Sequence, residues 1–146
     1  METPVPTAID APVFDLAGGD ALLDVPLVFE KSGKAIAGFK VVGANSQTYM
    51  DADRKLSIER MKRSAAREGK PIDMKTDDGA AEVHDAMHER HLTLATACIK
   101  DWYGFVKNGE KIPLDAEEAR KALSIRPMWL TRVIAEIEGE KNFIGG

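Results

Sequence analysis

From residue 25 onward the chain divides into segments whose apolar spacing changes from strand-like to helix-like. Val25-Pro26-Leu27-Val28-Phe29-Glu30 is β-prone, and Lys31-Ser32-Gly33-Lys34 turns the chain. Ala35-Ile36-Ala37-Gly38-Phe39-Lys40-Val41-Val42 is the natural partner strand. Ile36, Phe39 and Val41 do not alternate cleanly, which predicts a bulge near Gly38. A two-stranded hairpin over 25–42 is marginal alone, so it must pack on the helices that follow.

Ser46 stands as the N-cap of a helix over 46–67. Its apolar positions form two thin stripes, Tyr49-Ala52-Leu56 and Met50-Ser57-Met61, so the helix is either partly buried or touches two partners. Glu68-Gly69-Lys70-Pro71 ends it. Thr76-Asp77-Asp78 caps a second helix over 78–102, with Val83, Met87, Leu94, Cys98 and Trp102 on its apolar face. A turn follows at Lys107-Asn108-Gly109-Glu110. Asp115 and Glu118 then form a variant capping box for a helix over 115–124, carrying Ala119, Ala122 and Leu123. Pro127 opens the last helix, 127–138, whose stripe is Leu130, Val133, Ile134 and Ile137. The expected fold is mainly α: a small helical domain of about four helices with an N-terminal β-hairpin. It forms one domain over 13–144 behind a flexible arm at 1–12, where Pro4, Pro6 and Pro12 fall. Phe14-Asp15-Leu16-Ala17 reads as a short strand or turn, interrupted by Gly18-Gly19.

Composition narrows the function classes. A length of 146 residues suits one modest core. The net charge of −4 argues against a protein that chiefly grips nucleic-acid backbone, which needs clustered Lys and Arg. Cys98 is the single cysteine, which excludes an internal disulfide and any multi-cysteine zinc module and fits a reducing compartment. The start Met1-Glu2-Thr3-Pro4-Val5-Pro6 has no basic region leading into an apolar run, so no signal peptide is expected. No apolar segment approaches the ~20 residues of a membrane span. A cytoplasmic protein with no membrane contact is the expectation.

Four groups of residues invite a chemical reading. His84, His88 and His91 fall on one side of the 78–102 helix, in line with Ala95, Cys98 and Trp102. Imidazole and thiolate ligate zinc. Yet His88-Glu89-Arg90-His91 is one residue short of His-Glu-x-x-His. Cys98 also lies about 10 Å beyond His91 along the axis, at ~1.5 Å per residue. The expectation is therefore histidines on an apolar face, metal-free, whose packing loosens on acidification. The basic run Arg60, Lys62, Arg63, Arg67 and Lys70 lacks interleaved aromatics and sits at a helix C-terminus, where the dipole favours cations. Glycines 18, 19 and 33 lack phosphate-loop spacing, and no serine has a nucleophile-elbow setting. No enzyme activity, catalytic residue or cofactor is expected. That leaves Trp102, Tyr103, Phe105 and Trp129 as core or interface anchors, with Trp102 expected buried and Trp129 partly exposed.

Taken in order, the pieces resemble the tail assembly chaperones of long-tailed (siphovirus-like) bacteriophages and prophages. The resemblance rests on four pieces of the chain. These are the hairpin sequence Gly33-Lys34-Ala35-Ile36-Ala37-Gly38-Phe39-Lys40-Val41 and the Ser46-led charged helix. The others are the step from Trp102 through Asn108-Gly109 to Ile112-Pro113-Leu114-Asp115, and the closing Pro127-Met128-Trp129 and Asn142-Phe143. Asp115 stands where such proteins usually place a Thr cap. The resemblance covers about residues 25 to 144, and it describes a fold rather than a chemistry.

What the resemblance implies is a non-enzymatic protein of the host cytoplasm. It would bind the long helical tape measure protein and keep it soluble until tail tube subunits polymerise around it. The tail tube protein is a second candidate partner, and self-association is open. Many such phages also make a longer frameshifted product. Trp102, Tyr103, Phe105, Trp129, Leu130 and Val133 are the candidate partner-binding residues. The alternative is a structural virion component, such as a tail terminator or head–tail connector protein. A His-ligated metal enzyme or regulator is a third option.

Overall fold

The computed structural model of the chain describes residues 21–139. The 1–12 arm, the 14–17 segment and the Asn142-Phe143 tail lie outside the described residues. Along the chain run β1 (Leu23–Phe29), β2 (Ala35–Val41), α1 (Gln47–Ala66), α2 (Asp77–Cys98) and β3 (Ile99–Tyr103). The short strands β4 (Val106–Lys107) and β5 (Glu110–Lys111) and the helices α3 (Ala116–Ile125) and α4 (Pro127–Glu138) follow.

The mainly-α expectation is corrected here. The described residues form four helices and five strands in two sheets, 54% helical and 19% strand, so the fold is α+β. The β1–β2 hairpin is part of a three-stranded antiparallel sheet, order β1-β2-β3. Its third strand is the stretch expected to finish the 78–102 helix. That helix stops at Cys98, and Ile99 turns extended at φ −74°, ψ 119°. The physical reason lies in the unpaired edge of β2. A two-stranded ribbon leaves half its backbone groups without ladder partners, and residues 99–103 satisfy them. Ile99, Trp102 and Tyr103 suit a strand, and the helical spacing of Leu94, Cys98 and Trp102 is overridden. A second ladder pairs Val106 with Lys111 and Lys107 with Glu110 around Asn108-Gly109. Both turn residues have positive φ, 54° and 83°, the signature of a type I′ turn.

Three irregularities set which side chains face inward. β2 bulges at Ile36, two residues from the expected Gly38, since Val28 pairs with Ala37 and Phe29 with Ala35; β1 bulges as well, where Pro26 pairs with Gly38 and Val28 with Ala37, leaving Leu27 between them. On β3, Lys40 pairs with Asp101 and Val41 with Ile99, so Lys100 is the extra residue. That slip puts Ile99 and Trp102 on one face, beside Val25 and Phe39. The core lies on this face, closed by Leu94, Ala95 and Cys98 of α2, Leu123 of α3, and Val133 and Ile137 of α4.

The other three helices start and end within one residue of their expected positions, and α2 starts within one of its own, because the starts are marked in the sequence. Asp115 accepts from the amides of Glu117 and Glu118 at 2.8 and 3.2 Å. Thr76 Oγ1 accepts from Gly79 N at 3.0 Å. Ser46, 1% exposed, accepts from Tyr49 N at 3.1 Å and donates to the Gly43 carbonyl at 2.7 Å. Ser46→Ala is therefore expected to cost about 1–2 kcal/mol of unfolding free energy, because it strips a partner from a half-buried amide. Thr76→Ala, at a more exposed cap, should cost less in the same urea titration.

α1 and α2 pair antiparallel as a helical hairpin. Arg67 reaches Glu82 at 3.9 Å near one end, and Arg90 pairs with Asp53 near the other. α1 is 20 residues long and buries none of them. Its Tyr49, Ala52 and Leu56 stripe packs against the core edge, while Met50 and Met61 of the second stripe are exposed.

Candidate interaction surface

Four rings form a continuous line from the core to the surface. Phe39, fully buried, stacks on Trp102 at 6.2 Å between centroids and meets Phe105 at 5.3 Å. Trp102 and Phe105 are 5.3 Å apart, and Phe105 meets Trp129 at 5.9 Å. Offset and tilted pairs at these separations suit the ring quadrupoles. Trp102, expected buried, is half-buried, and its Nε1 donates to the Ile112 carbonyl at 3.0 Å. This bond ties the strand to the segment leading into α3. Trp129 is half-buried as expected, and the Arg126 guanidinium lies 4.7 Å from its ring centroid.

Three of the six candidate partner-binding residues do not join this line. Leu130 and Val133 are 5% and 0% exposed and belong to the core. Their helical stripe is the face α4 turns toward α2 and the sheet. Tyr103 follows Trp102 on a strand and so points to the opposite face of the sheet. There it crosses over Gly38, where an added Cβ would fall 2.6 Å from the Tyr103 hydroxyl. Its ring lies under Lys40, whose Nζ is 5.5 Å from the centroid, and Lys40 in turn pairs with Asp24 at 3.6 Å.

Exposed apolar residues flank the last two rings along the chain, and none of them is among the candidate partner-binding residues. Val106 follows Phe105, Met128 precedes Trp129, and Ile125 stands two residues before Pro127. Their exposures are 57%, 71% and 64%. The available signal was position: Met128 falls off the Leu130-Val133-Ile137 stripe of α4 and Ile125 off the Ala119-Leu123 stripe of α3, so an apolar side chain there has no core to enter. The segments that carry Phe105 and Trp129 thus each leave apolar side chains in solvent.

The histidines do not share one environment. The side of α2 that enters the core at Ala95 and Cys98 runs out past the sheet toward its N-terminus. His91 and His88 are accordingly half-buried, while the His84 side chain is 81% exposed and 3.4 Å from Asp85. The exposure of His84 corrects the expectation of a uniformly apolar row. Among the described residues no group of three or more His, Cys, Asp or Glu side chains is placed to hold a metal ion. In the basic run only Arg67 is half-buried, and the other four side chains lie in solvent.

Two tyrosines carry perturbed hydroxyls. Burial raises Tyr49 above its ordinary value, with the Glu138 carboxylate adding to the effect. Burial also raises Tyr103, helped by a hydrogen bond to Asp24. A folded-state value above the unfolded one means both phenols hold their protons longer in the native protein. Their contribution is thus full below about pH 10 and lost as pH rises past it. Tyr49→Phe is expected to flatten part of the alkaline fall in melting temperature, read by thermal scans on both sides of that pH.

Comparison with protein-family models, with curated proteins and with solved structures finds no match. Among the described residues no helix is long and apolar enough to cross a membrane.

Proposed function

We propose that this chain is a non-enzymatic tail assembly chaperone of a long-tailed phage or prophage. It acts in the host cytoplasm, where it binds the tape measure protein and holds it soluble for tail tube assembly. The observation that carries the reading is the exposure of Val106, Ile125 and Met128 on the segments that bring Phe105 and Trp129 into contact. A surface of this kind suits the apolar side of an amphipathic helix, laid across aromatic anchors that the domain already holds rigid. Rigid, half-buried aromatics are the residues on which binding energy concentrates.

Titration of a helical tape measure segment into the purified protein tests the surface. Met128→Asp and Trp129→Ala should each weaken binding by more than ~1 kcal/mol, while Arg63→Glu should change it less. Met128 is 71% exposed, so its variant keeps the fold even where loss of the Trp129 ring disturbs it. Equal affinity for wild type and Met128→Asp would remove the client from this surface.

A further inference from the structure

We infer that the three-stranded sheet is locked at both of its open edges against a further strand, by Pro26 on β1 and by the Asp101 carboxylate on β3. The order β1-β2-β3 leaves the outer sides of β1 and β3 without a neighbouring strand among the described residues. Each outer side turns backbone amides and carbonyls outward at the spacing an incoming strand uses, and an unguarded edge pairs with the matching edge of another copy. The inference stands apart from the chaperone reading, since it uses neither the aromatic surface nor a client.

The direction of one amide fixes the pattern. Trp102 N donates to the carboxylate of the residue before it, Asp101 Oδ1, at 2.8 Å, in an exposed bond. That amide therefore turns away from β2, and Trp102 and Phe39 form one of the pairs that exchange no ladder bonds. A middle-strand residue whose backbone turns from one neighbour turns to the other, so Phe39 exchanges its bonds with Val25. Bonded and unbonded pairs alternate, which makes the next pair, Pro26 with Gly38, unbonded. The Pro26 nitrogen accordingly faces outward on the β1 edge, where proline has no N–H to offer. On one edge the central donor is missing, and on the other it is taken. Lys40 stands opposite Asp101 in register, but its ammonium pairs with Asp24 at 3.6 Å, and the Asp101 carboxylate turns to the Trp102 amide. Lys100, the extra residue of the β3 irregularity, adds an exposed charge and a break in ladder spacing beside the lock.

Amide hydrogen exchange and association of the full chain test the lock together. In Asp101→Ala the Trp102 amide should exchange several-fold faster than in wild type, and thioflavin T fluorescence on agitation should rise several-fold sooner. In the assemblies that form, the same amide should become protected, because the added strand now holds it. Asp101→Asn keeps an acceptor oxygen and should return both readouts to the wild-type values. Glu59→Ala removes an equal charge from an exposed site on α1 and should change neither. Pro26→Val restores a donor to the β1 edge and should also associate sooner, with Trp102 exchange in the monomer unchanged. Asp101→Ala protein that associates no faster than Glu59→Ala protein overturns the inference. So do assemblies that leave the Trp102 amide in fast exchange, or that lose protection at the Phe39 amide, the mark of an unfolded rather than an edge-paired chain.

Discussion

Phe39→Ala is expected to lower the unfolding free energy by about 3–5 kcal/mol, the range for removing a buried aromatic side chain. The residue has no exposure and sits where three structural links cross. It pairs with Val25 on one strand and Trp102 on the other, and its ring contacts both Trp102 and Phe105. The loss is a large share of the 5–15 kcal/mol typical of a domain. Because the cavity would open beneath Trp102, urea unfolding followed by Trp fluorescence should show both a lower midpoint and an altered native signal. Ile36→Ala, on the same strand but 44% exposed, should cost under about 1 kcal/mol.

Gly104→Ala is expected to be nearly as damaging, although it adds only one methyl group. Gly104 has φ +79°, a left-handed conformation that costs an L-residue about 1–2 kcal/mol. Its Cβ would also overlap the Ile36 carbonyl oxygen and lie 2.8 Å from the Ala37 Cα. Both are backbone atoms of β2, so relief requires the strand itself to move. Overpacking adds about 1–3 kcal/mol. Gly109 makes the control: its φ is +83°, but nothing lies within 4 Å of the added carbon. Gly109→Ala should therefore cost the conformational strain alone. Gly104 also delivers Phe105 to Trp129, so its variant should lose client binding along with stability, whereas the Gly109 variant should keep the binding.

The parts legible in the sequence were those with local causes. Ser46, Thr76, Asp115 and Pro127 mark helix starts by satisfying or omitting backbone amides, and the structure places a helix after each. Helix α2 ends where no local signal stands, since neither Gly nor Pro follows Cys98 and the Leu94-Cys98-Trp102 spacing runs on. The strand at 99–103 exists because β2 lacks a neighbour, a fact about a segment sixty residues away. Asn108-Gly109 did carry a local hairpin signal, which the turn reading used only in part. The candidate surface follows the same division. Phe105 and Trp129 were visible as anchors because aromatics are costly to leave unpaired. The separation of Tyr103 from Trp102 depends on the strand pleat, which a helix over 78–102 does not contain. Leu130 and Val133 looked like anchors for a partner because a helix stripe does not say which element covers it.

Co-expression of the tape measure protein with and without this chain tests the chaperone reading most directly. The tape measure protein should be largely insoluble alone, and should become soluble and co-purify with the wild-type chain. Rescue should fall sharply with Met128→Asp. A tape measure protein that stays equally soluble without this chain, with no complex recovered by affinity purification, would contradict it.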